Sequence, residues 1–228
     1  MTVFNFVFKR YFKRPSSIFF LLILPIALVF LPMGEWPPIP LGFQYYGILL
    51  LFISVKLTSI IMIDRENKVL LRIGVAPITH FQYLLENLLA YGIILIGLNM
   101  IVVIMGSIVY RESFNYYLLL FIIYSFFSMT ALGFSLAWYS LFQNKDTATS
   151  ILSGVIMLMA MVGGVLWPIQ IMPVILQRLA MLLPTYWLGQ SITFLAFRAP
   201  ISEQIIPLTM MLIFSILFLI VGSRRKII

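Results

Sequence analysis

The segments FQYYGILLLFISVKLTSIIMI (residues 43–63), DRENKVLLRIGVAPITHFQ (64–82) and YLLENLLAYGIILIGLNMIVVIMGSIV (83–109) follow one another without interruption. The first and third are apolar over membrane length, while the middle one gathers Asp64, Arg65, Glu66, Lys68 and Arg72. About 20 apolar residues at 1.5 Å rise each cross the roughly 30 Å hydrocarbon core of a bilayer. The stretch therefore reads as two transmembrane helices joined by a charged loop.

The rest of the chain repeats the pattern. Its 228 residues are 62% hydrophobic and 10% charged, with a mean hydropathy of +1.09, whereas soluble domains are about half apolar and a quarter charged. Apolar runs at about 16–33, 117–142, 150–167 and 205–222 bring the expected crossings to six. The fold class expected is an all-α membrane protein forming one domain, 1–228, with no room for a soluble enzyme domain. Residues 2–15 place Val3, Phe4, Val7, Phe8, Tyr11 and Phe12 opposite Lys9, Arg10, Lys13 and Arg14, the pattern of a helix lying in the headgroup region. The run that follows is too long for a signal-peptide core and lacks a small-x-small cleavage site, so it reads as an uncleaved first span.

Six crossings put both termini on one side. Lys9, Arg10, Lys13, Arg14, Arg65, Lys68, Arg72, Lys145, Arg224, Arg225 and Lys226 fall on that side, against Arg111, Arg178 and Arg198 on the other. Cytoplasmic loops carry the basic excess, so both ends are expected in the cytoplasm. This distribution also accounts for the formal charge of +8 by attraction to anionic membrane lipid, with no nucleic acid required. Between spans five and six, Pro184 divides residues 173–197 into pieces about 16 to 20 Å long, too short to cross. Two short helices dipping into the outer leaflet are expected there, with Trp167, Tyr186 and Trp187 at the interface.

Chemistry-bearing motifs are scarce. No cysteine is present and His80 is the single histidine, which excludes disulfides, thiolate metal sites and a multi-histidine site in one chain. No Gly-Lys pair occurs, so the chain has no nucleotide-binding phosphate loop, and neither H-E-x-x-H nor G-x-S-x-G is found. In the loop, Val69, Leu70 and Ile73 share a helical stripe that Gly74 and Pro77 terminate, and Thr79 with Gln82 has capping-box spacing. A short surface helix results, either a solvated turn or a rigid handle on which a cytosolic protein can push. Arg65, Glu66, Lys68, Arg72, Gly74 and Pro77 are the candidate coupling residues.

At this loop the sequence resembles the ABC-2 type permeases of ABC exporters. Ala76-Pro77-Ile78-Thr79 followed by Gln82-Tyr83-Leu84-Leu85 looks like that family's coupling-helix turn and third span, with Glu86-Asn87 where the family commonly has Gly-Lys. A second match is Gly163-Gly164-Val165-Leu166-Trp167-Pro168, then Met172-Pro173, Leu176-Gln177 and Leu183-Pro184-Thr185-Tyr186. It is similar to the extracellular helical hairpin of the family, making Gly163, Gly164, Pro168, Pro173, Pro184 and Tyr186 the candidate outer-hairpin residues. The resemblance implies six spans, an interfacial N-terminal helix, a coupling helix, a second permease chain (identical or related) and cytosolic ABC ATPase subunits. ATP and Mg would be bound by those ATPases, with no cofactor in this chain and no catalysis by it.

Lys56 lies inside span two, roughly 10 Å from the inner boundary. It either snorkels to the interface or faces a pathway with Glu86, where it would attract an anionic headgroup or a peptide carboxylate. Small residues in span four (Ser125, Ser128, Ala131, Gly133, Ser135, Ala137) and span five (Ser150, Gly154, Ala160, Gly164) are expected to pack helices within the bundle or across a dimer. The function expected is the permease of a bacterial cell-membrane ABC exporter moving an amphipathic or hydrophobic compound, a drug or antimicrobial peptide before a lipid or glycoconjugate. An ion-coupled carrier using Lys56 and Glu86, an intramembrane enzyme and a non-transporting anchor are the competing readings.

Overall fold

In the computed structural model, residues 15–35, 37–66, 80–111 and 116–224 are described. They form helices α1 (Pro15–Val29), α2 (Leu41–Glu66), α3 (His80–Tyr110), α4 (Tyr117–Leu141), α5 (Lys145–Val162), α6 (Val174–Ala180), α7 (Pro184–Ala196) and α8 (Ile201–Arg224). No strand occurs among the described residues, as an all-α membrane protein requires, since a helix satisfies its own backbone polar groups in hydrocarbon. The interfacial helix expected at 2–15 lies outside the described residues.

Five of these helices are long and apolar enough to cross a membrane: Leu41–Ile63, Phe81–Tyr110, Tyr117–Leu141, Lys145–Val162 and Ile201–Arg224. They overlap the expected spans 43–63, 83–109, 117–142, 150–167 and 205–222. Span five is displaced toward the N-terminus because Asn144 caps it, accepting from the Asp146 and Thr147 amides at 2.9 and 3.1 Å, and because Gly163 ends it. The first expected span, 16–33, is shortened. Its helix stops at Val29, about 22 Å long by helical rise, and the chain then turns back on itself. The Gly34 amide donates to Ile39 O at 2.8 Å and the Leu41 amide to Pro32 O at 3.0 Å, which the prolines of this segment favour over a continued helix.

Helix α4 is the hub, buried along its length by α2, α3, α5, α7 and α8. Contacts at its two ends fix the direction of each neighbour. The Tyr124 hydroxyl donates to Phe43 O at 2.5 Å, so α2 starts where α4 starts. Asn99 donates to Ser128 Oγ at 2.9 Å and Tyr117 to Gly106 O at 3.3 Å, so α3 runs antiparallel. Trp138 donates to Ala148 O at 3.0 Å, which makes α5 antiparallel too. Thr130 donates to Met211 O at 2.7 Å and Gly222 meets Ala137, which makes α8 parallel. Tyr110 donates to Val29 O at 2.8 Å, bringing the end of α1 to the end of α3. Traversal direction alternates through α1, α2, α3, α4, α5 and α8, and the start of α1 lies on the same face as the end of α8.

A polar seam locks three of these helices. Tyr46 donates to Asn99 Oδ1 at 2.8 Å, Asn99 to Ser128, and Ser128 to Tyr124 O at 2.7 Å, while the Tyr46 and Tyr124 rings meet edge to face at 4.8 Å. All four side chains are buried and each hydroxyl or amide in the chain has a partner, as burial in an apolar core demands.

Candidate functional site

Because α5 and α8 are antiparallel, the end of α5 and the start of α8 lie on one face. The chain between them, 163–200, must leave and return on that face. Its two helices, α6 and α7, are bent by 99°, so they form a re-entrant pair, as their lengths suggest.

Two adjacent glycines open this segment for different reasons. Gly163 caps α5 in ordinary helical geometry, with φ −73°, but has no room for a side chain: a Cβ there would sit 2.0 Å from Thr185 Oγ1 and 2.5 Å from Met159 O. Gly164 takes φ +76°, a left-handed conformation that costs an L-residue roughly 1–2 kcal/mol. The close approach at Gly163 lets Thr185 donate to Met159 O at 2.6 Å, a second hydrogen bond on a carbonyl that also accepts from the Gly163 amide at 2.8 Å. Gln44, at the start of α2, donates to Val165 O at 3.1 Å. The broken end of α5 is thus held by α7 on one side and α2 on the other.

The two arms of the pair differ. Pro184 opens α7 at a position where its missing N–H costs nothing, and α7 buries Thr185, Tyr186, Leu188, Ser191, Ile192 and Leu195 in the bundle. In α6, opened after Pro173, only Ala180 is buried, while Val174, Ile175 and Leu179 are exposed, a surface suited to lipid. Tyr186 is packed against the bundle, 7% exposed, and its hydroxyl accepts from Gln190 at 3.1 Å. Trp167 is exposed.

Gly163, Gly164, Pro168 and Tyr186 come together around one cavity of about 40 Å³, with Gln44, Gly189, Gln190 and Thr193. That volume holds a few water molecules at most and is far below the hundreds of Å³ of a ligand pocket. The cavity belongs to a packed joint. Pro173 and Pro184 shape the helices beside it without lining it. Gln44 and Gly189 were not singled out by sequence reasoning, and Thr185 entered it only within the Leu183-Pro184-Thr185-Tyr186 match; for Gln44, a lone amide at the start of an apolar run was the available signal.

On the opposite face, Arg65 and Glu66 form the last turn of α2, while Lys68, Arg72, Gly74 and Pro77 lie outside the described residues. Lys56 is exposed on α2 and Glu86 is half-buried on α3, both in the half of the bundle away from the hairpin. Of the small-residue stripes, the one on α4 packs within the chain, Gly133 lying against Ser215 of α8. On α5, Ser150 and Gly154 are exposed, and a Cβ on Gly154 would meet nothing within 4 Å. Among the described residues no group of three His, Cys, Asp or Glu could hold a metal. A family model described as ABC-2 family transporter protein matches residues 40–224. A search of curated proteins gave no match.

Proposed function

This chain belongs to the ABC-2 family of transporter proteins, membrane permeases of ABC transporters that work with an ABC ATPase partner; from that premise we propose that it is the permease of a bacterial ATP-driven exporter for an amphipathic or hydrophobic compound. The observation that carries this reading is the placement of the two special segments. The end of α2 and the start of α3 lie on one face, and the re-entrant pair closes the other. With the basic residues concentrated on the first face, that face is cytoplasmic and the hairpin outer. Force from ATPase closure enters through Arg65, Glu66, Lys68, Arg72, Gly74 and Pro77, and the joint at Gly163 lets the outer end respond as one of two discrete packings. ATP and Mg are held by the ATPase partner, and this chain contributes no cofactor site. A drug or antimicrobial peptide is the preferred cargo, matching the apolar bundle.

Co-expression with a candidate ATPase and reconstitution in liposomes tests the reading. Arg72→Glu and Gly74→Pro should leave basal ATP hydrolysis within about two-fold while reducing ATP-driven efflux at least about ten-fold, the factor corresponding to 1.4 kcal/mol of lost coupling. Efflux that continues from the permease alone, driven by a proton gradient, would favour the carrier reading built on Lys56 and Glu86.

The exposed stripe Ser150, Gly154, Met157 and Leu158 on α5 supports pairing with a second permease chain, since small residues let helices approach closely in lipid. The protein has no cysteine, so Gly154→Cys introduces a single reactive thiol. Oxidation in membranes should yield a disulfide-linked dimer with Gly154→Cys and none with Leu118→Cys on α4. Equal cross-linking of both would remove α5 from the interface.

A further inference from the structure

Helices α3 and α8 form a fork on α4. At the closed end, Leu84 of α3 and Ala137 of α4 meet Gly222 of α8, a Cβ on which would lie 3.4 and 3.2 Å from them. Toward the hairpin face the tines engage different neighbours: Tyr110 holds α3 to the Val29 carbonyl after α1, whereas Gln204 ties α8 to Ser191 of α7 at 3.0 Å. Between the tines lies a cleft of about 320 Å³ lined by Leu88, Ile96, Ser125, Met129, Leu212 and Ile216, among others. Its two serines have their hydroxyl protons engaged and can offer a ligand only acceptor lone pairs. Ser125 donates to Phe121 O at 2.7 Å and Ser215 to Met129 O at 3.2 Å. The cleft is shaped for hydrocarbon.

Both tines carry a cation at their hairpin end. Arg111 follows α3 directly, Arg198 precedes α8 by three residues, and both are exposed. Leu212 and Ile216 lie about 16 and 22 Å below the start of α8, and Ile96 about 22 Å below Arg111, by helical rise. Half of a bilayer including its headgroups is about 20–22 Å, so a phosphate at the arginine level puts the end of its acyl chain in the cleft. Guanidinium is the side chain best matched to phosphate oxygens.

We propose that the α3–α8 fork is a binding site for a resident anionic phospholipid of the leaflet on the hairpin side, with one acyl chain in the cleft and its headgroup at Arg111 and Arg198. The lipid fills a void that would otherwise lack packing partners in the bundle. The proposal requires only that the chain is embedded in a bilayer.

Arg198 allows the headgroup contact to be removed without harming the fold. It closes α7 with φ 55°, its amide donating to Leu195 O at 3.2 Å and that of Ala199 to Phe194 O at 2.9 Å. That helix-ending motif favours glycine at this position. The test uses the full chain in nanodiscs of equimolar phosphatidylglycerol and phosphatidylcholine, each bearing a diazirine near the chain terminus, followed by peptide mapping and native mass spectrometry. Phosphatidylglycerol adducts are expected at Ile96, Met129, Leu212 or Ile216, with one lipid retained per chain. Ser125→Leu and Ile216→Trp should each lower retention at least about five-fold, and Ile213→Trp, on the same helix but outside the cleft, should not. Arg111→Gln and Arg198→Gly should each reduce the preference for phosphatidylglycerol about five-fold, with Arg198→Gly at least as heat-stable as the parent. Adducts spread equally over Ile108 and Leu118, equal retention of the two lipids by the parent, or retention of a hydrophobic cargo in place of lipid would each overturn the proposal.

Discussion

Gly163→Val is expected to lower the apparent melting temperature of the detergent-solubilised protein by about 6 to 12 °C and to abolish ATP-driven efflux. The added Cβ alone would sit 2.0 Å from Thr185 Oγ1 and 2.5 Å from Met159 O, so α7 must move away from the end of α5. Overpacking of this kind costs about 1–3 kcal/mol, and the movement also breaks the Thr185–Met159 hydrogen bond, worth about 1 kcal/mol. A total near 3 kcal/mol corresponds to the stated shift at about 2 to 4 °C per kcal/mol for a chain of this size. Efflux fails in addition because the displaced α7 no longer follows α5. Differential scanning fluorimetry and liposome efflux measure the two effects. Gly97→Ala is the control, since a Cβ at Gly97 meets nothing within 4 Å and a helical Gly→Ala change there should be neutral or stabilising. A Gly163→Val protein as stable as Gly97→Ala would show that α5 and α7 are not in contact at this point.

The second large effect is expected at Gly42, where the start of α2 lies against the end of α1. A Cβ there would be 1.9 Å from Leu28 O and 2.7 Å from Leu28 C. Both obstacles are backbone, which cannot rotate away as the end of a side chain can. Even Gly42→Ala must separate the two helices, at about 2–3 kcal/mol, or about 4 to 12 °C in melting temperature. The separation also strains the Tyr110 hydrogen bond to Val29 O. Protease should then cut within 30–40 at a rate at least about ten-fold higher than in the parent, because the turn loses its support. Unchanged cleavage and melting would rule out the α1–α2 contact.

Much of the architecture was readable from local pattern. The runs at 43–63, 83–109 and 117–142 match α2, α3 and α4 within a few residues, since membrane length and apolarity are properties of a continuous segment. The breaks at Gly163, Pro168, Pro173 and Pro184 also follow from local backbone chemistry. Where the reading went astray, the cause was contact between distant segments. The run 16–33 is as apolar as a span, yet its last residues join a turn held by Gly34, Ile39 and Leu41.

The sequence alone determined that this chain is a multi-pass membrane protein and that no catalytic or metal centre is built from cysteine or several histidines. Hydropathy, charge bias and residue inventory are sums along the chain and need no knowledge of what touches what. Only the tertiary structure decided that Gly163 is fixed by space and Gly164 by φ, that the α4 stripe packs against α8 while Ser150 and Gly154 of α5 face outward and Ala160 is buried, and that α3 and α8 part to leave a hydrocarbon-lined cleft. Each of these depends on which residues from remote segments meet, and apolar periodicity in a membrane cannot separate a lipid-facing side from a protein-facing one.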